Sequence, residues 1–223
     1  MTFRIVVVGT GTDVGKTHVT CALLAYLAAA GIRPAAYKPI ATGVEGTCED
    51  ARLHAEAMRA GVAVQPAYVF RRPVSPHLAA REEGRVIDVG AIRRRVEELE
   101  VGVDVVVVET AGGLFTPLDD ARTNVDLLLA LMPARVLLVA PDRLGVLHDV
   151  GACTTGGAAC GVGIDAIVLS APAIGDASTG GNAAELGRIG HPVASLFPRT
   201  EWTAPDSARS AARAWEALRR GPG

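Results

Sequence analysis

The stretch GTGTDVGKT, residues 9–17, decides the fold of this chain. It follows Phe3–Val8, a short apolar run that we interpret as a buried strand. It leads directly into Thr17–Ala30, an Ala- and Leu-rich stretch that we interpret as a helix, because Gly31 is a favourable residue just beyond a helix end. A glycine-rich loop between a strand and a helix predicts a phosphate-binding loop.

The chemistry of such a loop suggests roles for its residues. Backbone N–H groups at the start of a helix have no partner within the helix, and the helix dipole adds partial positive charge, so the loop attracts phosphate. We expect Lys16 to reach the outer phosphates of a nucleotide and the Thr17 hydroxyl to hold Mg²⁺. The expected nucleotide-binding residues are Gly11, Thr12, Asp13, Val14, Gly15, Lys16 and Thr17.

The spacing of the loop differs from the common pattern. G-x-x-x-x-G-K-[ST] would place its first glycine at position 10, whereas Thr10 stands there and Gly9 lies one residue further from Lys16. The loop is therefore one residue longer than usual. Its position directly after a strand argues against an ordinary strand–turn–helix. The guanine-reading motif Asn-Lys-x-Asp of GTPases is absent from the sequence, which leaves kinases and ATPases open.

Strands and helices alternate along the rest of the chain. The clearest strand, Val103–Val108, does not alternate apolar with polar residues, which is typical of a central parallel strand covered on both faces. This alternation predicts an α/β fold, namely a three-layer sandwich with a mostly parallel, doubly wound sheet and helices on both faces, of the P-loop NTPase type. We expect a single domain over residues 1–223.

Further strands are predicted at Arg33–Lys38, Arg135–Ala140, Ala166–Ser170 and Pro192–Leu196. Helices are predicted at Glu49–Ala60, Asp88–Glu100, Thr123–Leu131, Leu147–Cys160, Gly181–Ile189 and Asp206–Arg219. The predicted loops are Val62–Pro76, Gly112–Asp120 and Ala171–Gly180.

The composition excludes several classes of protein. With 49% hydrophobic and 21% charged residues among 223, the chain has an ordinary globular composition. Its net charge of −2 offers no basic excess for nucleic acid. No apolar run reaches the roughly 18–20 residues that cross a bilayer, and residues 1–9 are too short for a secretory signal. We therefore expect a cytoplasmic protein that binds neither nucleic acid nor membrane.

The four cysteines show no metal-binding spacing. Cys21, Cys48, Cys153 and Cys160 contain no Cys-x-x-Cys pair. We expect reduced, buried thiols, as is usual in a reducing cytosol.

Three charged residues stand at the ends of predicted elements. Lys38 ends a predicted strand, where parallel sheets hold their ligands, although a surface lysine is the simpler interpretation of this segment alone. Asp50 suits Mg²⁺, although an acidic residue that complements the dipole at a helix start is the simpler interpretation of this segment alone. Glu109 follows the most apolar strand, where a charge is costly to bury without a partner, and this favours a role as metal ligand.

Together with the loop, further motifs resemble those of dethiobiotin synthetases. YKPIATG (residues 37–43), the helix start at Asp50, PVSPH (73–77), VETAGGLFTPL (108–118) and RLGVLHD (143–149) occur in the order found in that family. The resemblance covers about residues 3–150, and the remainder is similar mainly in its strand–helix rhythm. The combination is specific because the longer phosphate loop and the strand-end lysine occur together.

The resemblance implies a homodimeric ligase that forms dethiobiotin from 7,8-diaminononanoate, CO₂ and ATP or another nucleoside triphosphate, with Mg²⁺. In the family, one substrate amine takes up CO₂ as a carbamate, and the carbamate oxygen attacks the γ-phosphate. The second amine then closes the ureido ring of the mixed carbamic–phosphoric anhydride and expels phosphate.

The resemblance also implies roles for individual residues. Lys16 and Lys38 would be catalytic and would neutralise the phosphoryl oxygens. Thr17, Asp50 and Glu109 would ligate Mg²⁺. Thr12 and Thr42 would contact the substrate, and its distant carboxylate would be bound by the partner subunit at the amides near Val146, Leu147 and His148.

Three positions depart from the family pattern. Thr110 replaces a glycine, and we expect its side chain to narrow the space beside the metal. His148 replaces the asparagine that helps to hold the substrate carboxylate, and Asp149 adds a negative charge that Arg143 or His148 would have to offset. The asparagine that often reads the nucleotide base is absent from the segment after residue 169, which reads Ser-Ala-Pro, so the base preference stays open.

Two other classes remain as alternatives. A related P-loop ligase acting on another small acid would explain the altered segment 144–149. A P-loop ATPase of the partitioning type, which senses a protein or membrane partner, usually carries a second lysine early in the loop, at the position of Gly11. Gly11 therefore argues against an ATPase of the partitioning type.

Overall fold

The computed structural model describes residues 2–59 and 64–221, and this part of the chain contains eight strands and eight helices. The strands are β1 (Phe3–Gly9), β2 (Pro34–Tyr37), β3 (Ile40–Thr42), β4 (Tyr68–Phe70), β5 (Val105–Gly113), β6 (Arg135–Pro141), β7 (Ala166–Ser170) and β8 (Val193–Phe197). The helices are α1 (Lys16–Ala29), α2 (Glu49–Ala57), α3 (Pro76–Glu82), α4 (Val89–Leu99), α5 (Asn124–Ala130), α6 (Val146–Ala159), α7 (Asn182–Arg188) and α8 (Pro205–Arg220). Every predicted strand and helix is present; β7 has the predicted ends, and at least one end of each of the others is shifted.

Six strands form one parallel sheet in the order β2-β5-β1-β6-β7-β8. β1 lies between β5 and β6, with Val6 opposite Val108 on one side and Val136 on the other. After β1, the strands β2 and β5 are added to the sheet on one side of β1, and β6, β7 and β8 are added on the other side. The winding of the chain therefore reverses beside β1. Doubly wound folds bind ligands at the carboxyl ends of the strands at such a point, and residues 9–17 begin there.

Alternate residues of the strands pack into two hydrophobic layers. Ile5 and Val7 lie in the layer that contains α1 and α8, whereas Val6 and Val8 lie in the layer that contains α4 and α5. Successive side chains of a strand point to opposite faces of the sheet, which explains why the whole run is apolar. Each such side chain contributes about 1.5–3 kcal/mol when fully buried, and this burial fixes the start of the loop in the middle of the molecule. The predicted three-layer arrangement is confirmed.

The sequence prediction lacks β3, β4 and α3. β3 and β4 pair in parallel, with Ile40 opposite Tyr68, so the predicted loop 62–76 is wrong at 68–70. Pro76, the predicted end of that loop, is the first residue of α3. Three-residue strands are too short to show a period, which is why the pattern did not indicate them. Residues 62 and 63 of that loop, and Ala60 at the predicted end of a helix that ends at Ala57, lie outside the described residues.

β5 is longer than predicted at its carboxyl end. It starts at Val105 rather than at residue 103, and it runs to Gly113, so Glu109 lies inside the strand and not after it. The pairing with β1 extends to Gly9 opposite Gly113. A Cβ atom at Gly113 would lie 3.0 Å from the backbone nitrogen of Gly11. Glycine therefore lets the strand pass close beside the phosphate loop, and the predicted loop 112–120 starts later.

The predicted loop 171–180 is irregular, but hydrogen bonds hold it against the segment after β6. Asp142 Oδ2 accepts from the Gly180 N–H (2.8 Å), and the Asp142 carbonyl accepts from Thr179 Oγ1 (3.0 Å). Asp176 in turn accepts from the Leu144 N–H (2.8 Å). The two loops at this edge of the sheet therefore support each other.

The thiol prediction is only partly right. None of the four cysteines, all of which lie in the described part of the chain, forms a disulfide. Cys21, Cys48 and Cys153 are buried, whereas Cys160 is exposed, because it directly follows the last turn of α6 at the surface. Burial raises the pKa of Cys153 to about 11, so this thiol is protonated near neutral pH. Among the helices of residues 2–59 and 64–221, none is both long and apolar enough to span a bilayer.

Candidate active site

The phosphate loop ends in a left-handed glycine that starts α1. Gly15 has a φ of 91°, and a Cβ atom there would lie 2.3 Å from Ser170 Oγ. Both the backbone angle and the close approach of β7 therefore require glycine. The first helical hydrogen bond runs from the Val19 N–H to the Gly15 carbonyl (3.1 Å), so the N–H groups before it face the loop. This arrangement suits an anion.

A cavity of about 440 Å³ lies over this loop at the carboxyl ends of the strands. Most of the residues predicted to form the site line it together. They are Thr12, Asp13, Gly15, Lys16, Thr17, Lys38, Thr42, Asp50 and Glu109. Two predicted nucleotide-binding residues do not: Gly11 offers its carbonyl to Lys16 (3.0 Å), and the Val14 side chain is 5% exposed and packs against the sheet.

A lysine and two carboxylates meet at the floor of the cavity. Lys38 Nζ lies 2.5 Å from Asp50 Oδ2 and 3.0 Å from Glu109 Oε1. Thr17 Oγ1 lies 2.9 Å from Asp50 Oδ1 and 2.9 Å from Glu109 Oε1. The structure therefore favours the site interpretation of Lys38 and Asp50 over the surface lysine and the helix-start acid that each segment alone also allowed.

The charges of this cluster stabilise one another. Glu109 is fully buried, which by itself raises the pKa of its carboxyl, but the Lys38 ammonium and the His54 ring outweigh burial and hold the pKa well below its ordinary value. Burial likewise lowers the pKa of Lys38, but the carboxylates of Glu109 and Asp50 raise it above the ordinary lysine value. The Lys38 ammonium and the Glu109 carboxylate are therefore both charged around neutral pH.

Lys16 has a different environment. Its ammonium donates to the Gly11 carbonyl, and burial lowers its pKa to about 8, an effect that the Glu109 charge offsets only in part. The repulsion of Lys38 lowers it further. A desolvated cation beside unpaired N–H groups is suited to bind the oxygens of a polyphosphate.

The donor set of the cluster fits Mg²⁺. Thr17 Oγ1 carries one proton but lies within hydrogen-bond distance of two carboxylates, and all three groups offer the oxygen ligands that Mg²⁺ prefers. Mg²⁺ is usually held by one or two carboxylates together with substrate phosphates and water. Within the described parts of the chain, no group of three His, Cys, Asp or Glu side chains is arranged around a metal position. A Mg²⁺ ion here would therefore depend on nucleotide oxygens for its remaining ligands.

The predicted carboxylate site lies apart from this cavity. Val146, Leu147 and His148 form the first turn of α6 after Gly145, which has a φ of 94°. None of the three is among the described residues that line the cavity. Arg143 lies 3.6 Å from Asp149, so the expected offset of the Asp149 charge is present. Binding of the carboxylate by the partner's copy of this turn stays a prediction.

The expectation for Thr110 is wrong. The side chain is fully buried, and its Oγ1 donates to the Val7 carbonyl on β1 (3.3 Å). Neighbouring side chains of a strand point to opposite faces, so Thr110 turns away from the cavity into which Glu109 points. A threonine here does not narrow the space beside the carboxylates.

Two residues next to the loop were not indicated by the sequence. A second cavity, of about 500 Å³, shares Gly15, His18 and Arg199 with the first and is also lined by Trp202. His18 Nε2 is buried and has no hydrogen-bond partner among residues 2–59 and 64–221. Arg199 follows β8 and is exposed. No pattern in the sequence brings these segments together, because the contact depends on the position of β8 in the sheet.

Sequence reasoning also missed His54. The imidazole is 2% exposed, and its Nε2 lies 2.9 Å from Glu109 Oε2. A signal was available, because His54 stands four residues after Asp50 and therefore on the same face of α2.

Comparisons with known proteins show which family this chain resembles in sequence and which proteins share its fold. A family model described as an AAA domain matches residues 4–174. The chain is 41% identical over 187 residues to an ATP-dependent dethiobiotin synthetase of Anaeromyxobacter sp. (strain Fw109-5), which covers 82% of this chain and 83% of that protein. It is 39% identical over 155 residues to an ATP-dependent dethiobiotin synthetase of Escherichia coli (strain K12), covering 66% of this chain and 68% of that one. The cell division ATPase MinD of Pyrococcus furiosus shares the fold, with a TM-score of 0.58, 16% identity and 99% coverage of both chains.

Proposed function

Because this chain belongs to the family of ATP-dependent dethiobiotin synthetases, we propose that it forms dethiobiotin from 7,8-diaminononanoate, CO₂ and ATP. It is an ATP-dependent ligase. The observation that supports the specific reaction is the arrangement of Lys16, Lys38 and the Thr17–Asp50–Glu109 oxygens around one cavity. Phosphoryl transfer needs mainly such positioning and charge stabilisation.

The proposed reaction starts from a carbamate of one substrate amine. A carbamate oxygen attacks the γ-phosphorus, the bond to the β,γ-bridging oxygen breaks, and ADP leaves. The second amine then attacks the carbamoyl carbon, the bond from that carbon to the phosphate oxygen breaks, and the amine proton is released. The products are the cyclic urea, ADP and phosphate. No protein side chain has to act as a strong base, because the substrate amines are themselves the nucleophiles.

The residues of the chain bind and orient the reactants. Lys16 places its ammonium against the outer phosphates from the loop side, and Lys38 lies between the transferred phosphoryl group and the carbamate. Both lysines stabilise the negative charge that shifts onto the phosphoryl oxygens. Thr12 and Thr42, which line the same cavity, contact the amine or carbamate end of the substrate.

Thr17, Asp50 and Glu109 would hold Mg²⁺ through their side-chain oxygens. A bound Mg²⁺ ion would neutralise charge on the β- and γ-phosphate oxygens.

The far carboxylate of the substrate binds at the first turn of α6 of a partner subunit, at the Leu147 and His148 N–H groups, which precede the first helical hydrogen bond; the Val146 N–H already donates to the Arg143 carbonyl (3.1 Å). The enzyme therefore acts as a homodimer, and we place it in the cytoplasm.

The direct test is product formation by the purified protein. With diaminononanoate, ¹⁴C-bicarbonate, Mg²⁺ and ATP, we expect equal amounts of phosphate and labelled dethiobiotin, and neither product when the diamine is omitted. Phosphate released on addition of another small acid would instead identify a ligase with a different substrate. Hydrolysis of ATP stimulated by a protein or membrane partner, without dethiobiotin, would contradict the proposal.

A separate prediction concerns the choice of nucleotide base. A bidentate amide contact to a base discriminates by about 1–3 kcal/mol, and the end of β7 carries Ser170 rather than an amide. We expect kcat/KM for ATP, CTP and GTP to differ by less than about tenfold, and Ser170→Asn to add a preference for ATP of about 5- to 150-fold, which is the same free energy expressed as a ratio. Ser170→Ala is the control and should leave the ratios unchanged. A wild-type preference above about 100-fold would show that another group reads the base.

A further inference from the structure

His54 is a buried histidine whose partner is a proposed metal ligand. It lies on α2, one helical turn after Asp50, and is 2% exposed. Its Nε2 atom lies 2.9 Å from Glu109 Oε2. The opposite oxygen, Glu109 Oε1, faces Thr17 (2.9 Å) and Lys38 (3.0 Å). The two oxygens of the carboxylate therefore point in different directions, one toward α2 and one toward the phosphate loop.

The chemistry of the pair fixes the direction of the hydrogen bond. The carboxyl of Glu109 is the acceptor of an ion pair, because its Oε1 atom lies 3.0 Å from the Lys38 ammonium and 2.9 Å from the Thr17 hydroxyl. An ionised carboxylate only accepts hydrogen bonds. The imidazole must therefore carry a proton on Nε2 and donate it to Oε2, which identifies the ring nitrogen that holds the proton.

This hydrogen bond restricts the last side-chain torsion of Glu109, which is the torsion that packing restricts least. The last torsion of a glutamate side chain is broad and roughly two-fold, so packing alone leaves the plane of the carboxylate poorly fixed. A donor held at Oε2 by a helix restricts that rotation. α2 is itself held in place, because Leu53, Ala57 and Met58 pack against the layer that contains α1. The position of Oε1 is then set relative to α1, which carries Thr17.

We propose that His54 is a positioning residue that orients the Glu109 carboxylate so that Oε1 faces the Mg²⁺ position. α2 thereby contributes two residues to the site from one face: Asp50, a proposed metal ligand, and His54, which orients the ligand Glu109. Residues that support metal ligands in this way typically change metal affinity or activity by about 10- to 100-fold when they are replaced. The inference rests on the proposed binding of Mg²⁺ and nucleotide but not on the identity of the second substrate.

The test measures metal affinity rather than turnover. Mn²⁺ serves as the spectroscopic probe, titrated by electron paramagnetic resonance into full-length protein saturated with the β,γ-imido analogue of ATP. His54→Leu removes the hydrogen-bond donor and replaces the imidazole with an apolar side chain of similar size. We expect it to weaken Mn²⁺ binding by about 10- to 100-fold. His54→Gln, whose amide nitrogen reaches the place of Nε2, should bind Mn²⁺ nearly as the wild type does. Affinity for the analogue in EDTA should be unchanged in both.

Two controls separate positioning from general damage to the helix. Arg52 lies on the exposed side of α2, where it pairs with Glu49 and Glu56, so Arg52→Gln alters the helix without touching the cluster and should leave Mn²⁺ affinity unchanged. If His54→Leu does not fold, the comparison of His54→Gln with His54→Asn decides, because the shorter amide cannot reach Oε2. We expect the asparagine variant to bind Mn²⁺ about 10- to 100-fold more weakly than the glutamine variant.

The outcomes distinguish this inference from the proposed function. Equal Mn²⁺ affinity in the wild type and in folded His54→Leu, or equal losses in the glutamine and asparagine variants, would overturn the role of His54. A wild-type protein that binds Mn²⁺ and the analogue but forms no dethiobiotin would instead contradict the proposed reaction, and the ranking of the His54 variants would still decide the inference.

Discussion

Lys38→Met is expected to lower turnover on the order of 10³-fold and to destabilise the protein at the same time. Lys38 lies between two carboxylates, at 2.5 Å from Asp50 and 3.0 Å from Glu109, and Glu109 is fully buried. Removal of one positioned donor of charge stabilisation costs about 10²–10³ in kcat, and a cationic group at a transferred phosphoryl contributes up to about 10⁵. Lys38 is proposed to contact both the phosphoryl group and the carbamate, so the loss lies between these values.

The loss of stability follows from the charge that remains. Breaking a buried ion pair by removing one partner costs about 3–5 kcal/mol, because the other charge is left uncompensated. For a chain of this length each kcal/mol shifts the melting temperature by about 2–4 °C, so we expect a decrease of roughly 6–20 °C without nucleotide and metal. Thermal unfolding followed by circular dichroism measures it.

Two further variants identify the cause. Glu109→Gln introduced into Lys38→Met should recover part of the lost stability, because the uncompensated buried charge is then removed. Lys38→Arg should keep much of the stability but little of the turnover, because a guanidinium carries the charge with a different shape and reach. If the two single changes were simply additive in the double variant, Lys38 and Glu109 would not form the coupled pair described here.

Lys16→Met is expected to lower turnover strongly with little change in stability. The proposed contacts of Lys16 are with the outer phosphates, and hydrogen bonds to charged groups contribute about 1.5–3 kcal/mol. We therefore expect the Kd for ATP to rise about 10- to 150-fold and kcat to fall about 10²–10³-fold. The stability of the protein without ligand should change by less than about 1 kcal/mol, because the hydrogen bond that the ammonium donates to the Gly11 carbonyl is offset by the desolvation that lowers the pKa of Lys16.

The sequence offers a direct way to observe this difference. Lys16 and Lys38 are the only lysines in the sequence, and the other residues counted with them as basic are arginines. Protein labelled with ¹⁵N-lysine should therefore give one Nζ signal from each lysine, and each Met variant should remove one of them. Addition of the β,γ-imido analogue of ATP should shift the Lys16 signal. A Lys16 signal that does not respond to the analogue would contradict its assignment to the phosphates.

Parts of the fold and the site were predictable from local pattern. The phosphate loop, the parallel sheet and the charged residues Lys38 and Glu109 after apolar runs follow from short-range rules, because loop chemistry and strand burial are both encoded within a few residues. The elements that escaped prediction are β3, β4 and α3, which are too short for a period to appear. Thr110 was misjudged for a related reason, since β5 continues past its apolar run and places neighbouring residues on opposite faces.

The sequence by itself determined that a strand, a glycine-rich loop and a helix form a phosphate site, and which residue types could surround it. Only the tertiary structure decided that Lys38, Asp50 and Glu109, which come from three separate segments of the chain, share one cavity, and that the His54 ring lies against the Glu109 carboxylate. The physical reason is the order of the strands. β5 is placed between β2 and β1 by burial on both faces, and local sequence patterns carry no information about which buried strands become neighbours.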